Sequence, residues 1–466
     1  MKSCTTWSYK EYVPLLYGRG EIYVCRLAPE PNSFSLDWYN IEGEKTYILR
    51  YKKEDEENWK EVTIPSSCSE QTSATVSGLD TDCDYVFYVS TPIGKRSAER
   101  LVRTGFSEGI TVNYLHPRDN YYDFSGHYLA SPSLVRHPDG YLLASMDIFY
   151  GNRPQNMTLL FRSDDNGTTW HHVTDIFPSF WGRLFIHRNE LYLLSVSTEY
   201  GDLLIGKSTD GGKTFCQPTV LFRGGCKTDE NGIHKNPQPV VYYNGRIWNT
   251  LEWGSWKKGG HALMVMSADE NSDLLKPESW VFSEPVEYDE NWEGTAKGKS
   301  AGLLEGCLVT GPDGKLYLIS RYEIRNCQPC YGLALVFEVD ADNPEKPIEY
   351  RRAMHFDGNH SKFIIKKDEK TGYYYSIIAR IKNDEEKASR NICSLVKSRD
   401  LYNWSLVKDI WNYEDSPREK IGFQYVDWFF EDEDILMLCR TAMNDAHNFH
   451  DSNYSKFNII HNFRSL

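Results

Sequence analysis

The sequence predicts an all-β protein, a six-bladed β-propeller preceded by a small β-sandwich. Three observations carry that reading. A turn pattern, Ser-x-Asp-x-Gly-x-Thr-aromatic, occurs at Ser163, Asp165, Gly167, Thr169 and Trp170, and returns 45 positions later at Ser208, Asp210, Gly212, Thr214 and Phe215. That repeat length is the one expected of propeller blades. Aromatic residues make up 14% of the 466 positions, with 31 Tyr and 13 Trp, which favours strands. Finally, seven short candidate strands crowd into residues 20–104, a density that suggests a sandwich. The length itself exceeds one ordinary core and calls for two or more domains.

Taken in order, residues 1–105 form the first unit and 106–466 the second. The candidate strands of the first lie at 21–28, 34–39, 46–52, 59–64, 74–76, 85–90 and 99–104. Its segment Gly78-Leu79-Asp80-Thr81-Asp82-Cys83-Asp84-Tyr85, with Trp38 upstream, resembles the Leu and Tyr corner and the core Trp of fibronectin type III domains. Such modules are spacers or docking surfaces, and no chemistry is assigned there. From about residue 106 the units lengthen and turn at Asp-Gly or Asn-Gly pairs, at Asp139-Gly140, Asn244-Gly245 and Asp313-Gly314. The first two blades end in the repeated turns. In those turns the Asp carboxylate accepts backbone N–H groups, Gly takes the positive φ and the ring closes the underside. A third unit runs from Pro239 to a degenerate turn at Ala268-Asp269 with Trp280, a fourth from Leu303 to Val339, and a fifth from Phe363 to an eroded turn at Ser398, Asp400 and Trp404. The sixth, from Phe423 to Phe463, lacks an outer strand, which residues 109–114 can supply to close the ring.

Composition narrows the function. A net charge of −14 disfavours nucleic acid and anionic membrane surfaces as partners. Local arginines can still bind an anionic sugar. No apolar run serves as a leader in residues 1–7 and none later approaches a membrane span, so the expected location is the cytoplasm. The eleven cysteines are scattered, as in a reducing compartment. Cys327 and Cys330 lack a second pair at zinc spacing. No metal and no cofactor is expected, and oligomeric state is not legible.

The repeated turns resemble the Asp box, or BNR repeat, of the sialidase superfamily, where they sit on the blade rim away from the active site. That resemblance implies a catalytic set. Glu305 opens a strand, a hairpin turns at Asp313-Gly314 and Arg321 ends the return; the pair is either a structural ion pair or the sialidase Glu and carboxylate-binding Arg. Gln424-Tyr425-Val426-Asp427 opens the last blade, where sialidases carry a nucleophilic Tyr. By resemblance Tyr425 attacks and Glu305 takes its proton, since a neutral Tyr avoids repulsion from an anionic substrate. Tyr425 is otherwise one of many strand tyrosines.

The departures are equally specific. Ala130, before Ser131-Pro132, stands where sialidases place their first Arg, and Arg440 stands near the position of its supporting Glu. An acid Asp is not evident in 152–158, which leaves Asp147 as the substitute. Further substrate contacts are Glu252 and Trp253, a carboxylate beside rings; His360, opening blade five; and His447 and His450 in the polar loop after Arg440. Two histidines and an Asp suit hydrogen bonding to sugar better than metal. The expected activity is a sialidase-like exo-glycosidase on a terminal, acidic sugar of a glycan, with Arg321 and Arg440 binding its carboxylate or hydroxyls. A polysaccharide lyase acting on uronates and a non-catalytic glycan-binding propeller remain as alternatives.

Overall fold

The computed structural model describes residues 5–6, 20–382 and 388–466; most of residues 1–7, read above for a leader, lie outside these. Among the described residues regular structure is β-strand, with two 3-10 turns, and no helix is long and apolar enough to cross a membrane.

The first part packs a three-stranded sheet (Val24–Glu30, Ser33–Tyr39, Gln71–Ser77) on a four-stranded one (Lys60–Pro65, Thr46–Lys53, Asp84–Ser90, Arg100–Arg103). Trp38 is fully buried between them, its ring 5.4 Å from that of Tyr47. The backbone N–H of Asp80 donates to the Tyr85 hydroxyl at 3.0 Å over buried Leu79, forming the expected corner.

Downstream, antiparallel meanders follow one another. Sheet I comprises Tyr128–Arg136, Leu142–Phe149, Thr158–Ser163 and His171–Phe177, with Thr5–Thr6 added in parallel at its edge. Sheet II comprises Phe180–His187, Glu190–Val196, Leu203–Ser208 and Thr219–Phe222. Sheets III and IV are joined into nine strands by one parallel bridge, His261 to Gly302. Sheet III is built on Arg246–Ser255, Gly260–Asp269 and Trp280–Phe282; sheet IV on Gly302–Thr310, Leu316–Glu323, Leu333–Glu338 and Glu349–His355. Sheet V holds Ile365–Lys367, Tyr374–Ala379, Ile392–Ser398 and Trp404–Asn412. Sheet VI holds Gly422–Glu431, Asp434–Ala442 and Tyr454–Ile460, and its outer strand is Ile110–Tyr114, as the missing strand required.

One boundary differs from expectation. Sheet III begins earlier than Pro239: Gly232–His234 pairs with the far half of Arg246–Ser255, and Val241–Tyr243 with its near half. Pro237 and Pro239 lie between the two segments and hide the strand's continuity from a pattern search.

The repeated turns are alike in detail. Asp165 accepts from Ser163 Oγ (2.8 Å), Thr169 N (2.8 Å) and Thr169 Oγ1 (2.6 Å), and Asp210 does the same from Ser208 and Thr214. Asp400 in sheet V uses Asn403 where the others use Thr. Gly167, at φ +88°, lies against the Phe457 ring, where a Cβ would stand 2.1 Å from ring carbon.

Buried Asp427 stitches sheets together. Its Oδ2 accepts from Leu134 N of sheet I at 2.6 Å and from Arg183 Nη1 of sheet II at 2.5 Å. Burial would raise this carboxyl, but Arg183, Lys362 and Lys366 outweigh it and hold it ionised. Lys362, also buried, has no hydrogen-bond partner of its own among the described residues. The first part docks on the outer strands of sheets I and VI. Tyr23 donates to Asp175 (2.6 Å), and Arg26 donates to the carbonyls of Thr111 and Val112 (3.0 and 2.9 Å).

Removing one member of a buried ion pair strands its partner without solvent. Asp427→Asn is therefore expected to lower unfolding free energy by about 3 kcal/mol or more, measured by urea denaturation with an unchanged far-ultraviolet spectrum.

Candidate active site

In sheets I, II, IV and VI the first strand carries the same bulge, in which two residues face one. The first of the two has a positive φ in each: Ser131 (49°), Trp181 (51°), Glu305 (49°) and Tyr425 (56°). Left-handed backbone at a non-glycine residue costs about 1–3 kcal/mol and re-aims the side chain out of the ladder. The residue paired just before each bulge is, on the adjacent strand, Asp147, Val196, Arg321 and Arg440. One backbone device thus sets Glu305 beside Arg321 and Tyr425 beside Arg440.

The bulges of sheets IV and VI meet. The Tyr425 hydroxyl donates to Glu305 Oε1 at 2.5 Å, while Arg321 Nη1 donates to Glu305 Oε2 at 2.8 Å and to the Tyr425 oxygen at 3.3 Å. Arg321 also reaches Glu323 (3.4 Å), whose other oxygen takes Arg325 (2.6 Å). Two more guanidiniums flank the Tyr425 ring, Arg440 at 5.1 Å and Arg390 at 5.8 Å from its centre. Arg390 is fixed by Gln424 Oε1 and by the His360 carbonyl (3.0 Å). Arg440 Nη2 donates to the His450 carbonyl at 2.5 Å, and its buried Nε has no hydrogen-bond partner among the described residues.

Electrostatics sort the protons. Burial would raise Glu305, but Arg321, His234 and the Tyr425 hydrogen bond overcome it and keep the carboxyl below its usual range. Burial, then the Glu305 charge, push the Tyr425 hydroxyl up to about 12. A neutral phenol therefore rests on an ionised carboxylate. Burial and the nearby Arg321 pull Arg390 down to about 9, the response of a cation crowded by like charge. Arg321, Arg390 and Arg440 surround the pair, with Glu323 on Arg321 and Asp451 near Arg440 as further counter-charges, in a chain whose net charge is −14.

The other expected residues divide. Asp147 is not at the pair: it is fully buried and accepts from Thr158 Oγ1 (2.5 Å) and Gly182 N (3.3 Å), beneath the Trp181 bulge. Glu252 and Trp253 part to opposite faces of their strand. Trp253 packs edge-on against Phe222, whereas Glu252 is buried and takes His234 Nδ1 at 2.5 Å. His360 is buried with Nε2 on the Ser389 carbonyl, so it props Arg390 from behind. His447 and His450 both bind Asp451, at 2.7 and 2.9 Å; on the sheet I side of Arg440, His447 stacks on Tyr128 and His450 meets Phe149 edge-on. Cys330 Sγ donates to the Cys327 carbonyl at 3.2 Å.

Two residues escaped the sequence reading. Arg390 sits in Ser389-Arg390-Asn391, with no flanking motif to mark it. His234 lies in the strand segment missed before Pro239, which opens at Gly232 directly after Asn231.

Asp147 provides a pH test. Burial, opposed by hydrogen bonds from Thr158 and Ser131, raises its carboxyl to about 7. With the folded value above the unfolded one, its stabilising contribution is complete below about pH 4 and is lost as pH rises through 7. Asp147→Asn is expected to match the parent near pH 4 and exceed it in unfolding free energy at pH 8, by at most about 4 kcal/mol at about 1.4 kcal/mol per pH unit.

No family model matches the chain, and no curated protein matches its sequence. Among solved structures it is similar to a Penicillium chrysogenum alpha-L-arabinanase complexed with arabinobiose, at 11% identity and a TM-score of 0.48, covering 77% of this chain and 99% of that one. A GH93 alpha-L-arabinofuranosidase of Fusarium graminearum, also with arabinobiose, aligns at 11% identity and a TM-score of 0.46, over 75% and 97% of the two chains. A leech intramolecular trans-sialidase aligns at 10% identity and a TM-score of 0.48, over 95% and 97%. With these scores below 0.5, function has to be argued from the side chains themselves.

Proposed function

We propose that this chain is a glycoside hydrolase that releases a terminal acidic sugar from a glycan, with Tyr425 as nucleophile and Glu305 as its base. The observation that carries this reading is the 2.5 Å hydrogen bond from a half-buried tyrosine to a buried carboxylate, set among three arginines. A carboxylate nucleophile would repel an anionic substrate, whereas a phenol does not. In the first step the Tyr425 oxygen bonds to the anomeric carbon as the glycosidic C–O bond breaks, and the phenolic proton passes to Glu305. Water then releases the sugar and the proton returns. Arg321, Arg390 and Arg440 bind the sugar carboxylate, for which guanidinium forks are well matched.

The first sialidase arginine is absent at Ala130, and Arg440 replaces it from the neighbouring sheet. The strand Asp434–Ala442 packs against Tyr128–Arg136, so a cation on either strand serves the same space. On the same reading the six sheets are the blades of a closed propeller. Tyr128–Arg136 packs on both Phe180–His187 and Gly422–Glu431, and Gly302–Thr310 on Ile365–Lys367. The sequence places the first unit at 1–105, but Thr5–Thr6 pair into sheet I; the described residues 20–105 are a fibronectin type III-like docking unit whose contacts fall on the outer strands and on the 118–122 loop.

The test is sugar release from sialosides, uronides and neutral glycosides by the parent protein, Tyr425→Phe and Glu305→Gln. An acidic sugar is expected from the parent, with a loss of about 10³-fold or more in both variants. An unsaturated product absorbing in the ultraviolet would establish a lyase instead, and glycan binding without turnover would establish a binding module.

A further inference from the structure

A hydrolase working through Tyr425 needs a second group to protonate the leaving oxygen, and Asp147, sealed under Trp181 and Gly182, cannot reach one. Resting on the glycosidase reading above, we propose that His234 is the proton donor to the leaving group, with Glu252 as its positioning residue.

His234 and Glu252 are direct cross-strand partners, and the imidazole Nδ1 lies 2.5 Å from Glu252 Oε2. A carboxylate only accepts, so Nδ1 carries its hydrogen and Nε2 is the working nitrogen. Nε2 makes no hydrogen bond to any described residue, and the side chain keeps 7% of its accessible surface. The other oxygen of Glu252 accepts from Asn236 Nδ2 (3.3 Å) and from the N–H of Gly306 (3.4 Å), the amide directly after Glu305. One carboxylate therefore holds both the imidazole and the bulge that aims the base of the nucleophile. His234 is also close enough to Glu305 to help keep that carboxyl ionised.

The surroundings suit proton transfer. Trp181, the bulge residue equivalent to Glu305 and Tyr425, lies 4.4 Å from the imidazole centre, and His261 lies 4.7 Å away on the other strand of sheet III. Burial and the neighbouring His234 hold His261 neutral, with Nε2 on the Tyr200 hydroxyl at 3.1 Å. Further ionisable neighbours are Tyr200, its ring 6.1 Å from the imidazole, buried Lys235, which burial pulls down to about 7 against the Glu252 charge, and Glu199 in the 197–202 loop, which burial shifts upward and Gln155 binds. Glu199 is the rival donor, but it stands on a loop, while His234 stands on a paired strand.

The step balances. As Tyr425 bonds to the anomeric carbon, the departing oxygen takes the Nε2 proton of the imidazolium and the Tyr425 proton goes to Glu305. In the second half neutral His234 takes a proton from the attacking water, and Tyr425 leaves with the proton held by Glu305.

The experiment compares kcat/KM for two glycosides of the released sugar, one with an alkyl alcohol leaving group and one with a nitrophenol, which departs without an acid. His234→Gln is expected to lose about 10²–10⁴-fold on the alkyl glycoside and less than about 10-fold on the aryl one, and to lose the alkaline limb of the pH profile. Glu252→Gln should shift that limb and show the same leaving-group bias to a smaller degree, while Tyr425→Phe should fail on both substrates. Equal losses of His234→Gln on the two substrates, or a selective loss in Glu199→Gln in its place, would overturn the assignment while leaving the glycosidase reading intact. A parent protein that cleaves neither glycoside overturns both.

Discussion

A carboxylate stripped of water is tolerated only where other groups replace its hydration, and Glu305 obtains that replacement from two sheets at once. Arg321 reaches it from the adjacent strand of its own sheet and Tyr425 from the first strand of sheet VI. Each of the three would be poorly placed alone: a buried charge, a buried cation and a half-buried phenol. Together they neutralise one another and leave a short O–H···O⁻ bond whose proton can move. The condition is that the two bulges stay in register. Asp427, two residues past Tyr425, ties sheet VI to sheets I and II through buried contacts to Leu134 and Arg183 and supports that register.

The first part of the chain contributes to the same rigidity from a distance. Its contacts to Asp175 of sheet I and to Thr111 and Val112 of sheet VI span the two sheets that carry the beginning and the end of the second part. Chemistry and clamping are thus segregated. Outer strands hold partners in place, and the openings of the first strands present polar side chains.

What the sequence made legible follows from how local each signal is. The turns at Asp165 and Asp210 were readable because a handful of consecutive residues contain the whole hydrogen-bond pattern. The Glu305 and Arg321 pair was readable because a hairpin converts a spacing of 16 into adjacency, and the missing outer strand of sheet VI because a sheet leaves its edge open. Tyr425 was placed by resemblance; its meeting with Glu305 is a long-range fact that no spacing encodes. Arg390 and His234 were invisible for the same reason. The first enters from a stretch without pattern, and the second from a strand interrupted between Pro237 and Pro239. Asp147 was placed at the right hairpin, but its burial depends on the neighbouring Trp181 bulge, which lies on another sheet.

The recurrence of the bulge at Ser131, Trp181, Glu305 and Tyr425 bears on how such a protein diversifies. Each bulge is a socket whose unfavourable backbone is already maintained by the sheet around it, so the side chain it holds can be exchanged without rebuilding a loop. Ser131 and Trp181 occupy sockets of the same shape as Glu305 and Tyr425. A descendant could therefore acquire a new acid, base or sugar-stacking ring by a single codon change at either one. The scaffold's evolvability resides in these four backbone positions, and the chemistry of any one member records which side chains currently fill them.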